Sequence, residues 1–184
     1  MTDRLPPLNF EQLSAAQQVA AQVIIDGPRG SLYGPFVPLI RSPELMSTAQ
    51  AMGEYLRYRS VIGTRLSELC ILVTARQWNQ QVEWAIHAPI SEQRGISADT
   101  INSIALRQRP TGMSDDEALV YDFCIELHQH KKVSDRTYAA TCERFGEHGV
   151  VDLMGISGYY TFLAMVMNAA QTAAPMSSAK PLPE

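Results

Sequence analysis

The sequence contains no Cys-x-x-Cys, no run of basic residues and no glycine-rich phosphate loop, and each absence closes off a class of function. Its three cysteines, Cys70, Cys124 and Cys142, are widely spaced and odd in number. Neither a thioredoxin-like redox pair nor a zinc ribbon is encoded locally, so reduced thiols are expected, at least two of them on apolar helix faces. Charged residues make up only 18%, and 15 Lys and Arg against 19 Asp and Glu leave a net charge of −4. Without a clustered positive patch, neither nucleic acid nor an anionic membrane surface is an expected partner. The opening MTDRLPPLNF lacks a basic segment followed by an apolar one, so no signal peptide is expected. Gly, Asn, Gln or charge interrupts the apolar stretches before membrane-spanning length, and a cytoplasmic protein is the expectation. A nucleotide fingerprint and a Gly-x-Ser-x-Gly elbow are also lacking.

What is present is helix. Leu13, Ala16, Val19, Ala20, Val23 and Ile24 recur at helical spacing between Phe10 and Ile25, and Asp26-Gly27-Pro28-Arg29-Gly30 stops them. Ser42-Pro43-Glu44 reads as an N-cap, a first-turn proline and an acid facing the helix dipole, opening a helix that reaches Tyr55 or Tyr58. Further helices are expected from Gly63-Thr64 to about Gln77, and from Gln80 into Ser91 with Gly95 closing the end. Three more open at Ser97, at the capping box Ser114 to Glu117, and at Ser134, the last stopping at Gly146. The final helix, from Glu147 or Val150 to Ala173, is apolar on nearly all sides and is expected at the centre. With 184 residues and no long linker, one all-α domain is expected over residues 1–174, followed by a mobile tail, 175–184.

Glu83 and His87 lie four apart and share a helix face, an arrangement suited to moving a proton near neutral pH. Pro89 lacks an N–H and clashes with the Ala85 carbonyl, so that carbonyl is expected to lose its helical partner beside the pair. Glu68 sits among Leu66, Leu69, Cys70 and Leu72, where a carboxylate needs a partner such as His87 or Arg76. His128 and His130 fall at a helix end, where positive charge suits the dipole. Trp78 and Trp84 read as core or pocket wall. One local histidine is too few for a His-Glu-x-x-His site, and no metal is expected.

The stretch Leu66-Ser67-Glu68-Leu69 through Ala75-Arg76-Gln77-Trp78, then Glu83-Trp84-Ala85-Ile86-His87-Ala88, resembles the carboxymuconolactone decarboxylase family. So do Gly34-Pro35-Phe36 to Leu45 upstream and Gly158-Tyr159-Tyr160 to Asn168 downstream, so that the resemblance spans about Leu5 to Ala170. It implies an all-α, alkylhydroperoxidase D-like helical bundle assembled as trimers or as hexamers built from trimers. In the redox branch of that family the signature is Glu, Cys-x-x-Cys and His. Glu68 and His87 match its outer members, but the cysteine positions hold Gln80 and Glu83. A peroxidase needs one thiolate to attack and a second thiol to resolve. The resemblance therefore implies the decarboxylase branch: a cofactor-free lyase or proton-transfer enzyme on a small lactone or oxo acid of aromatic degradation. His87 is the expected proton donor, Glu83 sets its tautomer and pKa, and Glu68 supports it. Arg76 or Arg57 is expected to hold a substrate carboxylate, with Trp84 and Tyr159 at the substrate. Two alternatives stay open: peroxiredoxin-like activity using Cys70 with an external thiol, and a non-catalytic binding protein that keeps the fold.

Overall fold

A computed structural model describes residues 2–183. A 3₁₀ turn, Phe10–Gln12, precedes eight α-helices: α1 Ala15–Asp26, α2 Phe36–Leu39, α3 Pro43–Tyr58, α4 Thr64–Gln77, α5 Gln81–Gln93, α6 Ala98–Ala105, α7 Asp115–His130 and α8 Asp135–Ala170. No strand occurs among the described residues.

Local side-chain chemistry sets most of these boundaries. Ser114 and Glu117 form the expected reciprocal capping box on α7, and Ser97 and Ser134 accept from the backbone N–H groups of Thr100 and Thr137. The first helix starts later than its periodicity predicts, because Ser14 and Gln17 make a second capping box and leave Phe10–Gln12 outside. Ser42 makes no capping hydrogen bond, and Pro43 alone marks the start of α3. Gly146 interrupts α8 with φ +68°, a left-handed conformation that stops the Ser134-capped segment where expected.

The central helix is α4, not the last one. Every residue from Leu66 to Arg76 is buried, and α4 packs against α5, α7 and α8. It carries polar groups into the core because each finds a partner there: Thr74 Oγ1 donates to the Cys70 carbonyl, and Ser67 Oγ lies 3.3 Å from Ser60 Oγ. The long helix α8 is long and apolar enough to span a membrane by length and composition, contrary to the interruptions read from sequence. In the fold, 56% of that apolar window is buried against the bundle, but Val151, Met154 and Met165 face outward at 61%, 41% and 50% exposure. Asp152 pins α8 to α3 by accepting from the Tyr55 hydroxyl at 3.0 Å and from the Val61 N–H at 2.9 Å. Higher up the same interface, α3 approaches so closely that a Cβ on Gly53 would lie 2.2 Å from Tyr159 Oη.

The tail runs along the outer face of α5 instead of hanging free. Gln81 holds both backbone groups of Leu182, each at 2.9 Å, Trp84 Nε1 donates to the Lys180 carbonyl, and Leu182 is buried. Ser177 Oγ donates to the Ala85 carbonyl at 2.6 Å. The acceptor freed by Pro89 therefore lines no pocket at the Glu83–His87 pair; it anchors the tail.

Candidate active site

Helix packing brings Glu68 from α4, Glu83 and His87 from α5, and Arg57 from α3 into one buried cluster. Gln80 sets the start of α5: its side-chain oxygen accepts from the N–H groups of Val82 and Glu83, and its amide donates to Asn168 on α8. That cap fixes the helical phase that turns Glu83 and His87 inward.

His87 stands between the two carboxyl groups. Its Nδ1 is 2.6 Å from Glu68 Oε2, and its Nε2 is 3.2 Å from Glu83 Oε2. Glu68 Oε1 lies 3.4 Å from Arg57 Nε, so the order across the cluster is Arg57, Glu68, His87, Glu83. Both glutamates and the histidine are at most 3% exposed. Burial disfavours the charged imidazole, but Glu68, and after it Glu83, outweigh that cost and hold the His87 pKa above its ordinary value. Glu68 is the mirror case: burial pushes it up, and His87 and Arg57 together pull it below the usual carboxylate range. The ring of Tyr160 meets His87 edge-on at 5.3 Å, and burial lifts the Tyr160 phenol well above its ordinary pKa.

Beside this cluster lies a cavity of about 10 Å³ lined by Arg29, Tyr33, Phe36, Glu83, His87 and Tyr160, room for roughly one water. Arg29 comes from the loop after α1. Gln50 accepts from its Nε at 2.7 Å, and its guanidinium lies over the Phe36 ring at 4.8 Å. Arg29 Nη2, Glu83 Oε1 and the Tyr159 hydroxyl are all buried without a hydrogen-bond partner. The open donor and acceptor belong to Arg29 and Glu83, which line one cavity, and they mark where a polar ligand would be satisfied.

The structure redistributes the expected roles. Arg57 joins the cluster, but Arg76 does not. Arg76 hydrogen-bonds Asn79 and lines a separate cleft with Arg107 and Tyr121, so the partners of Glu68 are His87 and Arg57. Trp84 does not line this cavity; it holds the tail. Tyr160, not Tyr159, lines the cavity; Tyr159 packs edge-on behind it at 5.3 Å, its pKa pushed up to about 12 by burial. Glu83 is not the main influence on His87, because Glu68 makes the closer contact. Glu68, Glu83 and His87 do not converge on a shared point, since His87 separates the two carboxyl groups. His128 is no surface cation: burial lowers its pKa to about 4, and its Nε2 is 3.0 Å from Thr74 Oγ1. Arg29 and Tyr160 had no signal in the sequence beyond their residue type.

No protein-family model matches the chain, and no curated protein matches it significantly. Its fold is similar to that of a solved structure, the alkylhydroperoxidase AhpD core of an uncharacterized peroxidase-related protein from Ralstonia eutropha JMP134. The two superpose with a TM-score of 0.72 over 94% of this chain and 92% of the other, at 17% sequence identity. The chain has the AhpD-like, all-helical fold.

Proposed function

We propose that the protein is a cofactor-free acid–base catalyst, a lyase or proton-transfer enzyme acting on a small lactone or oxo acid, in the manner of a carboxymuconolactone decarboxylase. The observation that carries this reading is the buried His87 held between two carboxyl groups, with Glu83 Oε1 lacking a hydrogen-bond partner and Glu83 lining a small cavity. This geometry favours a different division of labour from the one the sequence suggested. Both nitrogens of His87 already face a carboxyl group, so the atom free to meet a substrate is Glu83 Oε1. Glu83 is the acid–base group, and His87 behind it is the proton reservoir, kept charged by Glu68.

For an unsaturated lactone acid, the C–C bond to the carboxylate breaks, carbon dioxide leaves, and the electron pair enters a dienolate. Arg29 Nη2 faces the developing negative charge. Glu83 accepts a proton from His87 Nε2 and delivers it to carbon. In the reverse sense, the Glu83 carboxylate takes a proton from carbon beside a carbonyl and keeps it, because the charged His87 has no free nitrogen to accept it. A thiol peroxidase at this site has less support, because Gln80 and Glu83 hold the positions where that chemistry needs sulfur.

The test is solvent-deuterium incorporation and carbon dioxide release with a panel of unsaturated γ-lactone carboxylic acids and 2- and 3-oxo acids. Turnover of at least one member, reduced about a hundredfold or more in both Glu83→Gln and His87→Ala, is the expected result. No exchange with any member at stoichiometric enzyme would sink the proposal.

A further inference from the structure

On another face of α4 the fold brings two thiols together. Cys70 on α4 and Cys124 on α7 are both fully buried, and their Sγ atoms are 3.1 Å apart although 54 residues separate them in sequence. Ser157 on α8 completes the group, its Oγ 3.3 Å from Cys70 Sγ and 3.7 Å from Cys124 Sγ. A disulfide bond is about 2.05 Å long, so the sulfurs need to close by only about 1 Å.

We propose that Cys70 and Cys124 form a redox-modification site, a dithiol that a small hydroperoxide oxidises to a disulfide joining α4 to α7. Access comes from the α8 side. Ser157 lines a surface cleft of about 620 Å³ with Trp78, Leu127, His128, Met154 and Thr161. Ser157 touches both the cleft and the two sulfurs.

The thiols are not equivalent. Cys124 donates its S–H to Cys70, so the Cys70 sulfur is the one with hydrogen-bond support for developing negative charge. The Cys70 contact and burial together push the Cys124 thiol well up, which suits it to resolve and not to attack. Cys70 sulfur attacks the peroxide oxygen, the O–O bond breaks, and the released alkoxide leaves as alcohol with the Cys70 proton. The Cys124 sulfur then displaces hydroxide from the Cys70 sulfenic acid, the S–S bond forms, and water leaves with the Cys124 proton. Two electrons pass from the dithiol to the peroxide, and an external dithiol restores the reduced pair.

The surroundings give this step the character of a slow switch. His128, which lines the same cleft, is held neutral by burial and engages Thr74, not sulfur. Without a cation at the thiols, one peroxide per chain is consumed and turnover is negligible. Cys70 lies two residues from Glu68 on the same helix, so the cross-link ties the element that positions the carboxyl cluster.

The test uses the chain carrying Cys142→Ser, treated with millimolar tert-butyl hydroperoxide under native conditions. The expected result is a loss of about 2 Da in intact mass for the two hydrogens removed, one tryptic peptide pair linked through Cys70 and Cys124, and reversal by dithiothreitol. Added Cys70→Ser or Cys124→Ser should each abolish the mass loss. Two free thiols remaining after hours, or Cys70 proceeding to a sulfinic acid without a cross-link, would overturn the proposal. The Cys142→Ser chain keeps both buried thiols, so its result decides the matter even if the core variants fail to fold.

Discussion

The two glutamates around His87 should differ sharply when each is replaced by glutamine. At an effective dielectric of about 20, unit charges at the Glu68 and Glu83 distances attract the imidazolium by roughly 6 and 5 kcal/mol before desolvation is subtracted. Coulomb energy alone therefore barely separates them. What separates them is what each leaves behind. Glu68 also faces Arg57, so Glu68→Gln strands a buried guanidinium and leaves the buried imidazole with Glu83 as its one carboxylate. Breaking a buried ion pair from one side costs about 3–5 kcal/mol, a large share of the stability of an ordinary domain. Glu83 has one oxygen with no partner, and Glu83→Gln removes an incompletely satisfied group along with its single ion pair. We expect it to shift stability by no more than about 1 kcal/mol. The His87 pKa should fall in both variants, and further in Glu68→Gln, because Glu68 is the larger favourable influence. The stability signature follows in sign. The contribution of His87 is complete below its unfolded value of about 6.5 and is lost as pH rises through the raised folded value. That of Glu68 is present above its unfolded value and is lost as pH falls through its lowered folded value. Urea unfolding at pH 5, 7 and 9, with NMR titration of the labelled imidazole, measures both. Equal destabilisation by the two variants, or a His87 titration that ignores both, would refute the reasoning.

Three further outcomes follow from other parts of the fold. His128 is neutral when folded, so stability should drop as pH falls from about 6.5 toward about 4, by at most roughly 3 kcal/mol; His128→Gln should remove that share of the acid sensitivity in urea unfolding. Truncation before Pro175 should destabilise by about 2 kcal/mol through loss of buried Leu182, and hydrogen exchange should quicken along α5, where Gln81, Trp84 and Ala85 lose their tail contacts. The outward Val151 and Met165 on α8 should mediate a symmetric homo-oligomer, a trimer or hexamer, and Val151→Lys should dissociate it; light scattering at 20.4 kDa for the unmodified chain at micromolar concentration would exclude this.

How much of this was legible in the sequence depended on whether the cause was local. Capping boxes, a proline at a first helical turn and a left-handed glycine act within a few residues, so Ser114, Ser97, Pro43 and Gly146 could be placed from the chain alone. The Glu83–His87 pair was legible for the same reason, being one helical turn apart. Arg57, Arg29 and Tyr160 come from α3, a loop and α8, and only packing brings them to α5. Arg76, by contrast, is excluded as a partner for Glu68 by helix geometry alone. Eight residues along one helix is about 12 Å of rise, beyond the reach of a carboxyl group even with an arginine stretching toward it. Composition misled in two opposite ways. It made α8 look wholly buried, because an apolar pattern cannot tell a core face from a face left outward. It made the tail look mobile, because Ser, Lys and Pro suggest disorder, whereas docking depends on the backbone groups of Lys180 and Leu182 and on one buried leucine. The buried position of Glu68 was inferable from its apolar neighbours, and that inference carries the most functional weight. A carboxylate in such surroundings must either find cations or lose its charge. The fold supplies Arg57 and His87, and in doing so it charges the imidazole that stands behind Glu83. On the proposed acid–base reading, the pairing that satisfies Glu68 thus also supplies the proton the site has to offer.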